Sequence, residues 1–210
     1  LFQRAKAVNV ITSLDMSLPD TAGLVSQVDW KSLLVRTLPF VDIFVPSIEE
    51  IMFMLRREDY ERWRGQILAH ISFAYLDDLA DELFQMSNGA IAGFKLGELG
   101  LYLCGGRREQ FTKLQALPVD AGLWAEHRFW HPAFQVEVAG TTGAGDSAYA
   151  GLLTAMLKGL NLENAARWAC AVGACNVEAT DSTTGVQTWE ATLHRLNAGW
   201  QPLSYRLSSL

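Results

Sequence analysis

A glycine-rich turn contains the residues of this sequence that are best suited to chemistry. It reads Gly140-Thr141-Thr142-Gly143-Ala144-Gly145-Asp146-Ser147 and lies between a predicted strand and a predicted helix. Its three glycines let the backbone turn sharply and approach a ligand closely. The first amides of a helix have no partner inside the helix, and together with the helix dipole they form a site for an anion, most often phosphate.

Asp146 follows these amides, so its carboxylate can face a group bound above them. Phosphoryl transfer to an alcohol needs this combination, because the amides hold the migrating charge and the carboxylate accepts the hydroxyl proton. The same residues also fit a plain strand-to-helix turn in which Asp146 only starts the helix, and the residues alone leave both interpretations open. The turn is neither a Walker A loop nor a G-x-G-x-x-G loop, since no Lys-Ser/Thr pair follows its glycines.

The composition limits the remaining function classes. The chain has 210 residues, of which 50% are hydrophobic and 19% are charged, so it can form a packed core. It carries 17 Lys+Arg against 23 Asp+Glu and no basic tract, which argues against nucleic acid and anionic membranes as partners. No uncharged apolar run reaches about 18 residues. The three cysteines lack metal-ligand spacing and predict free thiols in a reducing compartment, the cytoplasm.

Buried strands alternate with helices along the chain. Apolar runs and turn residues predict strands over 8–13, 40–45, 90–96, 101–104 and 134–138. Helical spacing predicts helices over 21–38, 74–86, 145–159, 162–178 and 189–198, and a further helix that Ser47 and Glu50 begin as a capping box. This alternation predicts a three-layer α/β/α domain with a mainly parallel central sheet.

The glycine-rich turn closely resembles the second signature of the PfkB/ribokinase family of carbohydrate kinases, which is D-T-x-G-A-G-D followed by a helix. Three earlier segments resemble other motifs of that family in the same order. Asp15-Met16-Ser17-Leu18-Pro19 is similar to its D-x-N-x-R turn, residues 42–50 to its D-x-x-x-P-N-x-x-E segment, and residues 95–102 to its K-x-G-x-x-G hairpin. The resemblance extends from position 15 to about position 186 and implies a ribokinase-like fold.

The resemblance implies an ATP-dependent phosphotransferase that moves the γ-phosphoryl group of ATP to a hydroxyl of a sugar, sugar acid or related small molecule. Asp146 matches the general base, and the amides of Gly143, Ala144 and Gly145 match the anion hole. Glu50 matches the residue that organises Mg²⁺, through water. The residues that match the nucleotide-binding positions are Ser47, Lys95, Gly97, Gly100, Gly173 and Asn176.

Two departures from the family pattern support an alternative. Gly140 replaces the first Asp of the signature, a position that helps bind a monovalent cation in relatives, so we expect little activation by such a cation. Ser47 replaces the Asn of N-x-x-E, which is longer and has more hydrogen-bonding groups. The alternative is a non-catalytic relative that binds a nucleotide or a sugar in a regulatory or assembly role.

The resemblance covers one side of the family fold. Family members begin with a sugar-binding half that holds early strands and a small lid, and nothing in this sequence resembles those parts. Residues 1–210 are therefore interpreted as the C-terminal, nucleotide-side part of a PfkB-type kinase domain. The expected partners are ATP and a small sugar-like substrate, and a homodimer is an expected assembly.

Overall fold

The computed structural model describes residues 1–20, 23–204 and 207. The strands are β1 Ser13–Leu14, β2 Ile43–Phe44, β3 Ile91–Lys95, β4 Leu101–Gly105 and β5 Arg128–His131. The helices are α1 Phe2–Lys6, α2 Trp30–Thr37, α3 Ile48–Leu55, α4 Arg57–Arg62, α5 Ile67–His70, α6 Phe73–Met86, α7 Ala121–Trp124, α8 Ala144–Leu157, α9 Leu162–Asn176 and α10 Trp189–Asn197. Short 3₁₀ segments occur at Leu24–Gln27, Leu38–Phe40, Gly97–Leu99 and Arg108–Leu114.

The strands form a single sheet in the order β1-β2-β3-β4-β5. β1, β2 and β3 are parallel, whereas β4 pairs antiparallel with both β3 and β5. Within the described residues β4 is therefore the one strand that runs against the others, and the predicted mainly parallel sheet is confirmed. The carboxyl ends of β1, β2 and β3 consequently lie at the same edge of the sheet.

The two faces of the sheet are covered by different helices. Ile43 and Ile91 point into a core that is completed by α8 and α9. Their neighbours Phe44 and Ala92 point into a second core on the opposite face, completed by α2, α3 and α6. Side chains alternate between faces along a strand, so the apolar runs of β2 and β3 supply both cores. The predicted three-layer α/β/α architecture is confirmed.

Two predicted elements near the beginning of the chain are shorter in the structure. The helix predicted over 21–38 begins only at Trp30, because Asp29 caps it by accepting a hydrogen bond from the Ser32 amide at 3.0 Å. The strand predicted over 8–13 is confined to β1, since Asn9 has a φ of 59° and cannot continue an extended chain. Thr21 and Ala22 lie outside the described residues.

The strand predicted over 134–138 is wrong. Phe134 makes one isolated bridge, with Pro202 near the end of the chain, and the residues that follow it are irregular. The backbone amide of its neighbour Gln135 donates to Gln201 O at 3.0 Å. The start of the predicted strand therefore contacts the C-terminal segment and does not join the sheet. In the described parts of the chain, no helix is long and apolar enough to cross a membrane.

Candidate active site

The carboxyl ends of the three parallel strands bring charged residues together. Asp15 follows β1, Glu50 lies in the helix after β2, and Lys95 ends β3. Lys95 Nζ lies 2.6 and 2.7 Å from the two carboxylate oxygens of Asp15, although 80 positions separate the two residues. Because β1 and β3 lie on either side of β2, the ion pair crosses over the carboxyl end of β2. The pair is largely shielded, with 11% of the Lys95 side chain and 20% of the Asp15 side chain exposed.

Glu50 is buried at the start of α3, where it completes the predicted capping box with Ser47. Burial raises the pKa of Glu50, while the hydrogen bond from the Ser47 amide and the positive charge of Lys95 act in the opposite direction. Glu50 Oε2 accepts the Ser47 amide at 2.7 Å. No hydrogen bond to its other oxygen, Oε1, is made by the described residues.

The glycine-rich turn places unpaired amides at the start of α8. Gly143 is the N-cap and has a left-handed backbone, with φ of 76° and ψ of 2°. The Ala144 amide donates to Thr141 O at 3.2 Å, so it already has a partner inside the turn. The amides of Gly143, Gly145 and Asp146 have no hydrogen-bond acceptor within the described ranges. The structure thus leaves two of the three predicted anion-hole amides free and adds the amide of Asp146.

Asp146 lies in the first turn of α8 with its side chain exposed. Lys95 runs along the same turn, since a Cβ atom built on Gly145 would lie 3.5 Å from Lys95 Nζ. A carboxylate, an ammonium group and free helix amides therefore converge at one end of α8. This set can hold an anion and accept a proton from a neighbouring hydroxyl.

Tyr149 fixes this end of α8 against the sheet, a role that the sequence analysis did not assign. Its hydroxyl oxygen lies 3.1 Å from Ser13 Oγ and 3.3 Å from Leu14 O, both in β1. Burial raises the pKa of Tyr149 to about 12, so the phenol stays neutral and can donate. The apolar spacing of α8 indicates a core position for Tyr149, but only the sheet order brings its hydroxyl to β1.

The loop that follows α9 packs against the glycine-rich turn. A Cβ atom on Gly143 would lie 2.6 Å from Ser182 O, so only glycine fits beside this loop. Asp181 stabilises the loop by accepting hydrogen bonds from the Thr184 hydroxyl and from the amides of Thr183 and Thr184, the two amides each at 2.8 Å, and these bonds lower its pKa to about 2. The loop is therefore held in the shape that Gly143 contacts.

Gly173 and Asn176, both predicted to bind the nucleotide, lie in the last turns of α9 and contact α8 and the glycine-rich turn. Asn176 is completely buried, and its side-chain amide donates to Thr142 O at 2.9 Å. A Cβ atom on Gly173 would lie 3.2 Å from the Cβ of Ala148 in α8, so this glycine permits close packing of α8 and α9. The structure brings Asn176 to the glycine-rich turn as a support, and nucleotide contact by either residue stays a prediction.

Gly97 and Gly100 shape the connection between β3 and β4. Both have positive φ values, 58° and 87°, and Gly100 lies directly against His131 O of β5. The connection begins two residues after Lys95, so it borders the site. In the described ranges, no three His, Cys, Asp or Glu side chains are grouped closely enough to hold a metal ion by themselves.

The family of the chain follows from comparison with known proteins. The family model described as pfkB family carbohydrate kinase matches residues 3–189. The chain therefore belongs to the pfkB family of carbohydrate kinases.

Solved structures of similar fold include kinases for ribose and related compounds. Aminoimidazole riboside kinase from Salmonella enterica, complexed with aminoimidazole riboside and an ATP analogue, is 20% identical with a TM-score of 0.63, over 93% of this chain and 55% of that one. Arabidopsis thaliana ribokinase complexed with ribose and ATP is 20% identical with a TM-score of 0.62, over 93% and 51%. A putative ribokinase II from E. coli, in complex with ATP and Mg²⁺, is 16% identical with a TM-score of 0.62, over 94% and 52%. The chain thus spans about half the length of these proteins.

Proposed function

We propose that this chain carries the nucleotide side and the catalytic base of an ATP-dependent kinase that phosphorylates a hydroxyl of a sugar, sugar acid or related small molecule. The observation that carries the proposal is the start of α8, where the free Gly145 amide, the exposed Asp146 carboxylate and the Lys95 ammonium converge. Family membership and the complexes of similar fold with ATP support it.

The residues present fit a nucleotide with bound Mg²⁺. The free amides and Lys95 offer donors and positive charge to phosphate oxygens. The Ser47 amide occupies Oε2 of Glu50 and leaves Oε1 for the predicted contact to Mg²⁺ through water. When bound, Mg²⁺ would neutralise charge on the phosphates.

The proposed reaction is an in-line transfer at the start of α8. The acceptor hydroxyl gives its proton to the Asp146 carboxylate, and the acceptor oxygen forms a bond to the γ-phosphorus as the bond between that phosphorus and ADP breaks. The amides of Gly143 and Gly145 stabilise the charge on the transferring group. Asp146 needs no other partner for this role, since its side chain is exposed and has no hydrogen bond to the described residues.

The second candidate is a non-catalytic relative that binds a nucleotide or a sugar in a regulatory or assembly role. It is favoured by Gly140, which offers no carboxylate and lies close to backbone: a Cβ atom there would be 3.0 Å from Ala179 O. It is also favoured by Ser47, whose hydroxyl is used by the Glu50 amide in the capping box.

A transfer assay separates the two candidates. The chain is incubated with Mg²⁺ and ATP labelled in its γ-phosphoryl group, together with panels of sugars, sugar acids and nucleosides. A labelled acceptor supports the kinase. Nucleotide binding by calorimetry without any labelled acceptor supports the second candidate, and absence of both nucleotide and sugar binding contradicts both.

The wider assignments remain proposals of the same kind. We propose that residues 1–210 form the C-terminal, nucleotide-side part of a PfkB-type kinase domain, and that ATP and a small sugar-like molecule are its ligands. A cytoplasmic location is part of this proposal and is based on the free cysteines. A homodimer is also part of it and is based on the exposed apolar side chains of Val8 and Val10.

A further inference from the structure

The ion pair between Asp15 and Lys95 uses only part of the hydrogen-bonding capacity of Lys95. An ammonium group has three N–H donors, and two oxygens of Asp15 lie within 2.7 Å of it. Lys95 Nζ makes no other hydrogen bond within the described residues, and the centre of the Tyr149 ring lies 5.8 Å from Nζ. One donor is therefore left over at the start of α8.

The Lys95 ammonium group lies beside the first turn of α8. The Lys95 side chain touches the first turn of α8, where a Cβ atom on Gly145 would lie 3.5 Å from Nζ, 3.7 Å from Cδ and 3.8 Å from Cε. The free amides of Gly145 and Asp146 belong to the same turn. An anion on those amides would therefore lie beside the ammonium group, where charge-assisted hydrogen bonds are strongest.

Asp15 explains how a lysine is kept at this place while no anion is bound. Lys95 is largely shielded from solvent, and a shielded ammonium without a counter-ion is costly. Asp15, which follows β1, supplies the opposite charge and accepts hydrogen bonds from the ammonium group with both of its carboxylate oxygens. Its charge also weakens the attraction that Lys95 exerts on an incoming anion.

We propose that Lys95 binds the terminal phosphoryl group of the nucleotide, and that Asp15 is the counter-ion that offsets the charge of Lys95 while no nucleotide is bound and limits its pull on that group. The inference rests on the proposed function, because it takes the start of α8 as the phosphoryl site. It adds a role for Asp15 and assigns Lys95 to the terminal phosphate instead of the nucleotide in general.

Substitutions at the two ends of the same ion pair distinguish this role from a structural one. Lys95→Met keeps the length of the side chain and removes its charge, so it should weaken binding of the imido analogue of ATP with Mg²⁺ by about 10- to 100-fold, the value of one charge-assisted hydrogen bond. ADP should be affected much less. Asp15→Asn removes the opposing charge but leaves the ammonium group, so affinity for the ATP analogue should rise, by up to about tenfold.

Calorimetric titration of the 210-residue chain with the ATP analogue and with ADP, at one salt concentration, measures these effects. Lys95→Arg should restore most of the preference for the triphosphate, and the double variant should behave as Lys95→Met does. Lys31→Met is the matched control, because it breaks another lysine–carboxylate pair, with Glu82 at 3.0 Å, between α2 and α6 on the face of the sheet opposite α8. Lys95→Gln repeats the test if Lys95→Met melts below the temperature of the titration.

The possible outcomes separate this inference from the proposed function. A parallel loss of affinity in Lys95→Met and Asp15→Asn, or an equal loss for ADP and the ATP analogue, would mean that the pair is structural; the inference would then be overturned while the proposed function stands. Unchanged affinity for the ATP analogue in either Lys95→Met or Asp15→Asn would overturn it as well. If the unaltered chain binds neither nucleotide, both proposals are wrong.

Discussion

Ser47 and Glu50 exchange hydrogen bonds across the first turn of α3: the Ser47 amide donates to Glu50 Oε2 at 2.7 Å, and the Glu50 amide donates to Ser47 Oγ at 3.2 Å. This exchange fixes a buried carboxylate at the end of β2, beside the Asp15–Lys95 pair. A buried carboxylate in its ionised form reduces stability, and its retention here fits a role towards a ligand.

The first prediction concerns the stability of Glu50→Gln. Because burial raises the pKa of Glu50, its protonation favours folding; this contribution is complete below the ordinary glutamate pKa of about 4.3 and is lost as pH rises through the raised value. Glutamine resembles the protonated form and can still accept the Ser47 amide. Glu50→Gln should therefore melt above the unaltered chain near neutral pH, by about 2–4 °C per kcal/mol gained, and the difference should vanish in acid.

Calorimetric melting across the pH range measures this difference. Glu49→Gln is the control, since Glu49 occupies the same turn with an exposed side chain and makes no capping bond. A Glu50→Gln variant that melts below the unaltered chain at neutral pH would show that the ionised carboxylate stabilises the fold, contrary to this account.

The capping box could be predicted from the sequence because its signal is local. Ser47 and Glu50 are three residues apart, and the apolar run of α3 follows directly. The glycine-rich turn is also local, with its positive φ at Gly143 and its helix in the predicted place. The three-layer architecture with a mainly parallel sheet followed from the alternation of strands and helices, which has few compact solutions.

The contacts that complete the site could not be predicted in this way. Asp15 and Lys95 are 80 positions apart, and their pairing depends on both strands flanking β2. The hydrogen bond between Tyr149 and Ser13 likewise depends on the position of β1. The isolated bridge of Phe134 depends on Pro202, near the end of the chain. No local sequence pattern predicts these contacts between residues that are far apart in the chain.

The second prediction compares two glycines with similar backbone angles. Gly143 has φ of 76° and no room for a Cβ atom beside Ser182, whereas Gly199 has φ of 85° and open space around it. Gly199→Ala should cost about 1–2 kcal/mol through backbone strain alone. Gly143→Ala should cost about 1–3 kcal/mol more, because the added methyl group overpacks the turn. It should also weaken nucleotide binding.

Urea unfolding and calorimetric titration with ADP measure the two effects in both variants. Equal destabilisation by the two substitutions, with nucleotide affinity intact in Gly143→Ala, would contradict the close contact between the turn and the loop at Ser182.

The third prediction concerns monovalent cations. Gly140 offers no carboxylate, so exchanging NaCl for KCl at constant ionic strength should leave the transfer rate nearly unchanged, whereas removal of Mg²⁺ should abolish transfer. If Gly140→Asp creates K⁺ activation, it should also lower the stability of the fold. A Cβ atom at this position would lie 3.0 Å from Ala179 O and 3.1 Å from Thr180 Cα. Strong activation of the unaltered chain by K⁺ would refute this prediction.

The fourth prediction concerns self-association. Val8 and Val10 precede β1, which is an edge strand among the described strands, and they are 69% and 50% exposed. Exposed apolar groups next to a strand edge favour pairing with another chain. We expect the chain to self-associate, and Val8→Thr combined with Val10→Thr should weaken association by at least about tenfold.

Sedimentation velocity over a range of concentrations measures this association. Leu157→Thr is the control, because Leu157 is 62% exposed at the C-terminal end of α8, whereas α8 meets β1 through Tyr149, nearer its other end. A chain that stays monomeric at every concentration would rule out this surface as an interface.

The most direct test of the account is the transfer rate of Asp146→Asn, measured as acceptor-dependent ADP release alongside ATP affinity. The substitution keeps size and removes the base, so the rate should fall by about 10²- to 10⁴-fold while ATP affinity persists. Glu163→Gln, which removes the exposed carboxylate from the first turn of α9, should leave both values unchanged. Near-normal turnover in Asp146→Asn would make Asp146 a structural helix-start residue and would contradict the central claim.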